Sequence, residues 1–320
     1  MPWLRRGLLC AAAAVLAACA TVSDGNAEPM PIAVADGVYM FRGAPGEIGP
    51  ENGGRVGNAG FIVGTLGVLV VDSGVSRAQG AALLAAIARV TDKPVRLLLI
   101  THARQEFLFG AAAFRERGIP IQMHTKSARL MAARCEGCLR TLQRTLGDDV
   151  MRGTAVIKPD VTFDESMPLA TIGRAVRLLY LGHGSGPGDV AVFDENTGTL
   201  FAGGLLDNGR IPDVQDSQLA GWHQALAALR GLRIQRIVPG HGAASSPALI
   251  DTVERYLDEL QARTTALLDA DVGLSQVAEG VQLPAFAGWD QYDTIHRRNA
   301  SIVFLRLEQE RLLNEGAPKP

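Results

Sequence analysis

The hydrophobic and polar positions in the first half of this chain alternate between strand-like and helix-like segments. Short apolar runs bounded by turn residues predict four strands, at residues 37–41, 58–64, 67–72 and 95–100. Apolar positions recur at helical spacing from Ser76, a suitable N-cap, to Val90. Two more helical segments are predicted at 107–117 and 126–146, the second interrupted by Gly137. They enclose a short strand that begins at Ile119 and ends near His124.

The second half of the chain has a different pattern. Residues 153–202 form short runs separated by turn residues, as in an antiparallel sheet. An amphipathic helix (217–232) and a strand (236–238) follow, and the pattern is helical beyond Ser246. We therefore predict an α/β domain over residues 31–245, with two sheets packed face to face and helices outside. Residues 246–314 are predicted to be a helical extension of that domain.

The N-terminal segment predicts export. Arg5 and Arg6 precede an apolar run, residues 7–18, that is too short to span a bilayer as a permanent helix. The run ends in Leu16-Ala17-Ala18-Cys19, which resembles the bacterial lipobox, whose cysteine is acylated. The alternative is an ordinary signal peptide with an incidental cysteine. We predict a signal peptide over residues 1–19 and a tether over 20–30.

The expected location follows from the same segment. Ala20, not aspartate, follows Cys19, so by resemblance the signal for retention in the inner membrane is absent. The sequence thus predicts a periplasmic protein with a lipid anchor at Cys19 in the outer membrane. Whether export uses the general or the twin-arginine route stays open.

Composition narrows the class of protein. A chain of 320 residues that is 47% hydrophobic is long enough to bury a large core. The formal net charge is -2, and no basic stripe or arginine–aromatic cluster is present. Nucleic acid is therefore not an expected partner.

Cys135 and Cys138 form a single Cys-x-x-Cys pair. Such a pair can be redox-active, supply half of a zinc site, or close a local disulfide. Because a second Cys-x-x-Cys is absent, a four-cysteine zinc site is excluded. In an oxidising compartment a structural disulfide is the expected state.

Candidate chemistry lies at the ends of predicted strands. Asp72 follows the strand 67–72, His102 follows the strand 95–100, and His241 follows the strand 236–238. Together with the segment Leu181–Asp189, these strand ends resemble those of the metallo-β-lactamase superfamily. That resemblance implies an αββα sandwich with two metal ions bound at one edge. It also implies that Asp72 supports the neighbouring ligand loop without binding metal.

The first ligand loop departs from the superfamily pattern, which is His-x-His-x-Asp-His. By resemblance His102 occupies the first histidine position, Arg104 the second, Glu106 that of the aspartate and Phe107 the third histidine. A guanidinium about 4 Å from a dication would cost about 8 kcal/mol at an effective dielectric constant of ~20. Arg104 is therefore expected to turn away, or to occupy the cavity and pair with Glu106 in place of an ion.

The later ligand positions are also altered. A gapless alignment on Pro187-Gly188-Asp189 places the ligand position at Ser185, whereas a longer loop would make His183 the counterpart; both stay open. By resemblance Gly204 replaces the bridging aspartate, and His241 keeps the last ligand position.

Within the superfamily, the chain most resembles the exported quinoprotein-relay zinc metallohydrolases. The motifs are Asn58–Val63, Val71–Gly74, Thr91–Val95, Asp189–Val192 and Val238–Gly242. This resemblance implies an accessory role beside periplasmic quinoprotein and cytochrome systems.

Three functional hypotheses follow. A dinuclear zinc hydrolase is disfavoured because too many ligands are replaced. A hydrolase with one zinc ion would use His102, His183, His241 and Glu106. The favoured hypothesis is a non-catalytic or strongly altered member of the superfamily, in which the pocket that binds metal in other members binds a ligand or partner.

Overall fold

Two β-sheets and flanking helices make up the computed structural model, which describes residues 29–315. The seven strands of the first sheet lie in chain order: β1 (Ile32–Ala35), β2 (Val38–Phe41), β3 (Ala59–Val63), β4 (Val68–Val71), β5 (Val95–Ile100), β6 (Ile121–His124) and β7 (Val161–Phe163). β1 to β4 are antiparallel, whereas β4 to β7 are parallel. The predicted leader, residue Cys19 and most of the predicted tether lie outside the described residues.

The second sheet has five strands, again in chain order across the sheet: β8 (Met167–Leu169), β9 (Val176–Tyr180), β10 (Val190–Asp194), β11 (Thr199–Phe201) and β12 (Arg236–Val238). Its strands are antiparallel except for the parallel pair β11–β12. The carboxyl ends of β4, β5, β11 and β12 carry the residues singled out in the sequence.

The helices are α1 (Arg77–Val90), α2 (Gln105–Leu108), α3 (Ala111–Glu116), α4 (Thr125–Leu146), α5 (Asp148–Met151), α6 (Leu219–Arg230), α7 (Leu249–Asp269), α8 (Leu274–Gly280) and α9 (Arg297–Glu315). As predicted, the Ser76 side chain caps α1 by accepting the Gln79 N–H at 3.2 Å. No helix within residues 29–315 is both long enough and apolar enough to cross a membrane.

Side-chain alternation along the strands builds three apolar layers. In β4, Leu69 and Val71 pack between the two sheets, whereas Val68 and Val70 pack against the helices on the outer face. In β10, Val192 faces the space between the sheets and Phe193 faces the other helical layer. Because successive side chains of a strand point to opposite faces, a strand buried on both faces is apolar throughout. The predicted αββα sandwich is confirmed.

The C-terminal helices share one core with the second sheet. Tyr256 and Leu257 of α7 and Phe304 of α9 belong to the same buried cluster as Trp222 of α6 and Leu200 of β11. The predicted helical extension is therefore present, packed on the sandwich.

The helix predicted over residues 107–117 is broken into α2 and α3. At the break, main-chain groups bond to the loop after β4: Ser73 N donates to Phe107 O at 2.7 Å, and Gly110 N donates to Gly74 O at 3.0 Å. A Cβ atom at Gly110 would lie only 1.9 Å from Ser73 O, so this approach requires glycine. Tertiary hydrogen bonds thus replace helical ones, and the predicted continuous helix is wrong.

The predicted interruption at Gly137 is also wrong, because α4 runs unbroken through it. Met131, Cys135 and Leu142 bury one face of α4 against the first sheet. That burial outweighs the roughly 1 kcal/mol that an interior glycine costs a helix.

Candidate functional site

The loop after β5 is anchored by Asp72. Its carboxylate accepts hydrogen bonds from Thr101 N at 2.8 Å and from Thr101 Oγ1 at 2.8 Å. The Asp72 backbone has a φ of 62°, a left-handed conformation that is uncommon outside glycine. Burial raises the pKa of Asp72 to about 7, even though the bonds from Thr101 oppose that rise. Asp72 thus supports the loop that presents His102.

His102 is a neutral imidazole with one free nitrogen. Its Nδ1 lies 2.7 Å from Thr101 Oγ1. Because that hydroxyl donates its proton to Asp72, Nδ1–H must be the donor to Oγ1, which leaves Nε2 deprotonated. Burial, and then the charge of Arg104, lower the pKa of His102 to about 3. The Nε2 atom is buried without a hydrogen-bond partner among residues 29–315.

His241 is held by two carboxylates. Its Nδ1 lies 2.8 Å from Asp207 Oδ1, and its Nε2 lies 3.5 Å from Glu106 Oε1 without hydrogen-bond geometry. Burial opposes the charged imidazolium, but Asp207 and Glu106 outweigh it and raise the pKa of His241. Burial likewise opposes charge on Glu106, whereas His241 and Arg104 together lower the pKa of Glu106 to about 2.

Phe107 packs against both histidines. Its ring centroid lies 4.4 Å from that of His102 and 5.2 Å from that of His241, and the side chain is fully buried. An aromatic ring offers no lone pair to a metal. At the position of the third histidine in the superfamily pattern, this chain therefore has a side chain that cannot coordinate a metal.

The sequence left two positions for Arg104, either turned away from the site or in the cavity and paired with Glu106. It lines the cavity, but its hydrogen-bonded partner is Asp213 and not Glu106. Its Nη1 donates to Asp213 Oδ2 at 2.8 Å, and its Nη2 donates to Asp213 O at 2.9 Å. Arg298 Nη2 donates to the same Oδ2 at 2.7 Å. Burial opposes the charge of Arg104, but Asp213 outweighs it and raises the pKa of the guanidinium. A permanent positive charge is therefore built into the site.

Ser185, not His183, lies next to His102. A Cβ atom built on Gly204 would lie 2.5 Å from Ser185 Oγ and 3.0 Å from His102 Cδ2, so these three positions meet. Ser185 Oγ donates to Asp189 Oδ2 at 2.8 Å. The Nε2 atom of His183 lies 2.6 Å from the Asp216 carbonyl oxygen, and His183 does not line the cavity described below. Ser185, the residue that the gapless alignment puts at the ligand position, therefore lies at the site, and His183 does not.

These residues do not fit a zinc ion. Zinc sites in proteins use at least three converging nitrogen, oxygen or sulfur ligands. Within residues 29–315, no group of three histidine, cysteine, aspartate or glutamate side chains is placed to hold a metal. The Phe107 ring, the turned-away His183 and the Arg104 guanidinium are the physical reasons.

A cavity of about 430 Å³ opens beside His241 and Glu106. Six parts of the chain line it: the glycine-rich loop between β2 and β3, the loop after β5 with the start of α2, α4, the loop after β11, His241 after β12, and the segment before and within α9. Lining side chains include Glu47, Ile48, Arg104, Arg134, Cys135, Cys138, Arg210, Asp213, Ile295 and Arg298. The volume lies within the range of small-molecule sites.

The glycine-rich loop is fixed over this cavity. Both carboxylate oxygens of Asp290 accept from Gly46 N at 3.1 Å, and Arg210 Nη1 donates to Gly46 O at 2.8 Å and to Asp290 Oδ2 at 2.6 Å. The sequence did not single out Asp207, Arg210, Asp213, Asp290 or Arg298 as site residues. Their roles depend on contacts across more than 30 positions of sequence, and no local pattern marks them.

The expected disulfide is absent: Cys135 and Cys138 are free thiols. Both lie within α4, where side chains three residues apart have Cβ atoms about 5–6 Å apart. A disulfide needs a Cβ–Cβ distance of about 3.5–4.5 Å. In a regular helix the two thiols can share a hydrogen bond but lie beyond the distance of a disulfide, so the predicted structural disulfide is not present.

Comparison with known proteins places the chain in a family. The family model of the metallo-β-lactamase superfamily matches residues 52–241, and the chain belongs to that superfamily. A linear primary-alkylsulfatase from Pseudomonas sp. (strain ATCC 19151) is 21% identical over 267 residues, covering 71% of this chain and 50% of the relative. The chain thus spans about half the length of that relative.

Solved structures share the fold. A metallo-β-lactamase from Pontibacter korlensis matches with a TM-score of 0.60 and 20% identity, covering 72% of this chain and 99% of that one. The metallo-β-lactamase FIM-1 from Pseudomonas aeruginosa, in its mono-zinc form, matches with a TM-score of 0.58 and 23% identity, covering 73% and 97%. At these identities the likeness extends to the fold alone.

Proposed function

We propose that this chain is a non-catalytic, metal-free member of the metallo-β-lactamase superfamily that binds a small molecule in the cavity beside His241. The observation that carries the proposal is that non-coordinating side chains occupy positions that bind metal in the superfamily pattern. Phe107, which cannot coordinate a metal, packs against both His102 and His241, and Arg104 is fixed beside them by Asp213. A fixed guanidinium repels a dication and a phenyl ring offers it no ligand, whereas the adjoining cavity has the volume of a small-molecule site.

We further propose a periplasmic accessory role, with the protein attached to the outer membrane through a lipid on Cys19. The support is the Leu16–Cys19 lipobox resemblance, Ala20 after it, and the resemblance to the quinoprotein-relay group. Quinoprotein and cytochrome systems of the periplasm are the partners that this resemblance suggests. Labelling of growing cells with a radioactive fatty acid tests the anchor, because Cys19→Ser should abolish incorporation.

Elemental analysis of protein purified without chelator tests the main proposal. We expect far less than one zinc ion per chain, and no hydrolysis of primary alkyl sulfates or β-lactams above background. Near-stoichiometric zinc, lost together with a hydrolytic activity in His102→Ala and His241→Ala, would overturn the proposal. His183→Ala serves as the matched control, because its imidazole faces the Asp216 carbonyl.

A hydrolase with one zinc ion is the second candidate. The buried Nε2 atoms of His102 and His241, both without a hydrogen-bond partner in the described part of the chain, favour it. Unpaired buried nitrogens are costly and often mark a missing ligand. The same elemental analysis separates the two candidates, since only this one requires a bound ion.

A further inference from the structure

The wall of the cavity that α4 supplies carries two thiols. Cys135 is buried, with 2% of its surface exposed, whereas Cys138 is partly exposed, and both line the cavity. The hydrogen bond between them lowers the pKa of Cys138 to about 7 and raises that of Cys135. The partly exposed Cys138 thiol thus ionises near neutral pH, and the buried Cys135 thiol beside it stays protonated.

We propose that Cys135 and Cys138 form a redox-active dithiol in the cavity wall that reduces small-molecule disulfides. The proposal is independent of the proposed ligand-binding function. It also differs from a structural disulfide, because the two cysteines are free thiols in the structure and the bond forms in the reaction; a partner dithiol must then reduce it again in an oxidising compartment.

The geometry explains why the bond would be reversible. Closing it requires the two Cβ atoms to approach by about 1–2 Å relative to a regular helix. Strained disulfides are easily reduced and serve catalytic or regulatory roles more often than structural ones.

Gly137, between the two cysteines, supplies the local freedom. A Cβ atom at this position would meet nothing nearer than Arg140 Nη2 at 4.0 Å, so packing does not require glycine there. Glycine in a helix interior weakens the helix and widens the accessible backbone conformations. We infer that this weakness allows the turn to tighten when the bond closes.

The chemistry has two balanced steps. The Cys138 thiolate attacks one sulfur of a disulfide RSSR, forms a mixed disulfide and releases RS⁻. The Cys135 sulfur then attacks Cys138 Sγ, breaks the mixed disulfide and releases the second RS⁻. The protein loses two electrons and two thiol protons, and RSSR becomes two RSH.

The experiment uses the full chain, reduced and then exposed to glutathione disulfide. Trypsin cuts after Arg134 and Arg140, so both cysteines lie in one peptide, residues 135–140, that contains no other cysteine. We expect this peptide to lose two hydrogens by mass spectrometry and to regain them with dithiothreitol. Two glutathione adducts without an internal bond, or no reaction, would overturn the proposal.

Variants assign the two steps. Cys135→Ser should stop at one glutathione adduct on Cys138, and Cys138→Ser should react at least about tenfold more slowly than the unmodified chain.

Gly137→Ala should slow closure of the bond while iodoacetamide labels Cys138 at an unchanged rate. The control Glu136→Gln should behave as the parent chain. Equal rates in Cys135→Ser and Cys138→Ser would contradict the assigned order, and unchanged closure in Gly137→Ala would contradict the role of that glycine.

Discussion

Asp213 is the residue whose carboxylate holds two guanidinium groups at the edge of the cavity. With Asp213→Asn, Arg104 would lose its charged partner in a largely buried place. We expect a loss of about 2–3 kcal/mol in the free energy of unfolding, measured by urea denaturation. The matched control is Arg298→Gln, which removes the more exposed partner, 47% exposed against 23% for Arg104. That change should cost less than about 1 kcal/mol. Equal losses would show that Arg104 does not depend on Asp213.

His102 makes the stability of the protein depend on pH. Its folded pKa, about 3, lies below the ordinary value of 6.5, so the unfolded chain binds the proton more tightly. The contribution is therefore present above pH 6.5 and is lost as the pH falls towards 3. The contribution of His102 alone approaches one proton, about 1.4 kcal/mol per pH unit, in that window, whereas Asp72, whose pKa is raised to about 7, contributes a slope of opposite sign in parent and variant alike. Urea denaturation across this range should therefore show that stability increases less with pH in His102→Gln than in the parent, and identical pH dependence would contradict the neutral imidazole.

How far the sequence predicts the site also depends on single residues. His102, Glu106 and His241 were predicted as neighbours, and the structure brings them together because each follows a strand at the same edge. Neither the direction of His183 nor the partner of Arg104 was predictable. Both are fixed by the loop that carries Asp213 and Asp216, which is remote in sequence.

At the scale of elements, α4 offers a matched pair of glycines. Gly137 lies in the helix interior with open space around it, and Gly147 follows the helix at a φ of 83°. We expect Gly137→Ala to raise the free energy of unfolding by about 0.5–1 kcal/mol. Gly147→Ala should lower it, although nothing lies within 4 Å, because alanine disfavours that backbone conformation. Thermal unfolding of the two reduced variants tests the opposite signs, and a shift in the same direction for both would contradict this account.

Elements whose apolar pattern is continuous were predicted nearly residue by residue. The strand over residues 95–100 agrees with β5, and the helix from Ser76 agrees with α1. The failures lie where tertiary contacts decide. At Gly110 the main chain bonds to the loop after β4, so the helix is broken there. In α4, burial of one face keeps the helix continuous at Gly137.

At the scale of the whole molecule, the helical extension and the sandwich share one hydrophobic core. Because α7 and α9 share a core with the second sheet, a chain ending at residue 245 would expose side chains such as Trp222 and Leu226. We expect that truncated chain to lack a cooperative unfolding transition and to aggregate. A chain ending at residue 311 is the control, since Leu312 and Leu313 are exposed. Circular dichroism with light scattering distinguishes the two, and cooperative unfolding of the shorter chain would refute the shared core.

The bond between Gly46 and Asp290 joins positions 244 residues apart. Gly46 is therefore synthesised long before Asp290, the residue that fixes its loop over the cavity. A nascent chain that ends before residue 290 has this loop without its hydrogen-bond acceptor, and it lacks the Gln291, Ile295 and Arg298 side chains that line the cavity. The cavity can thus be complete only after almost the whole chain has been synthesised.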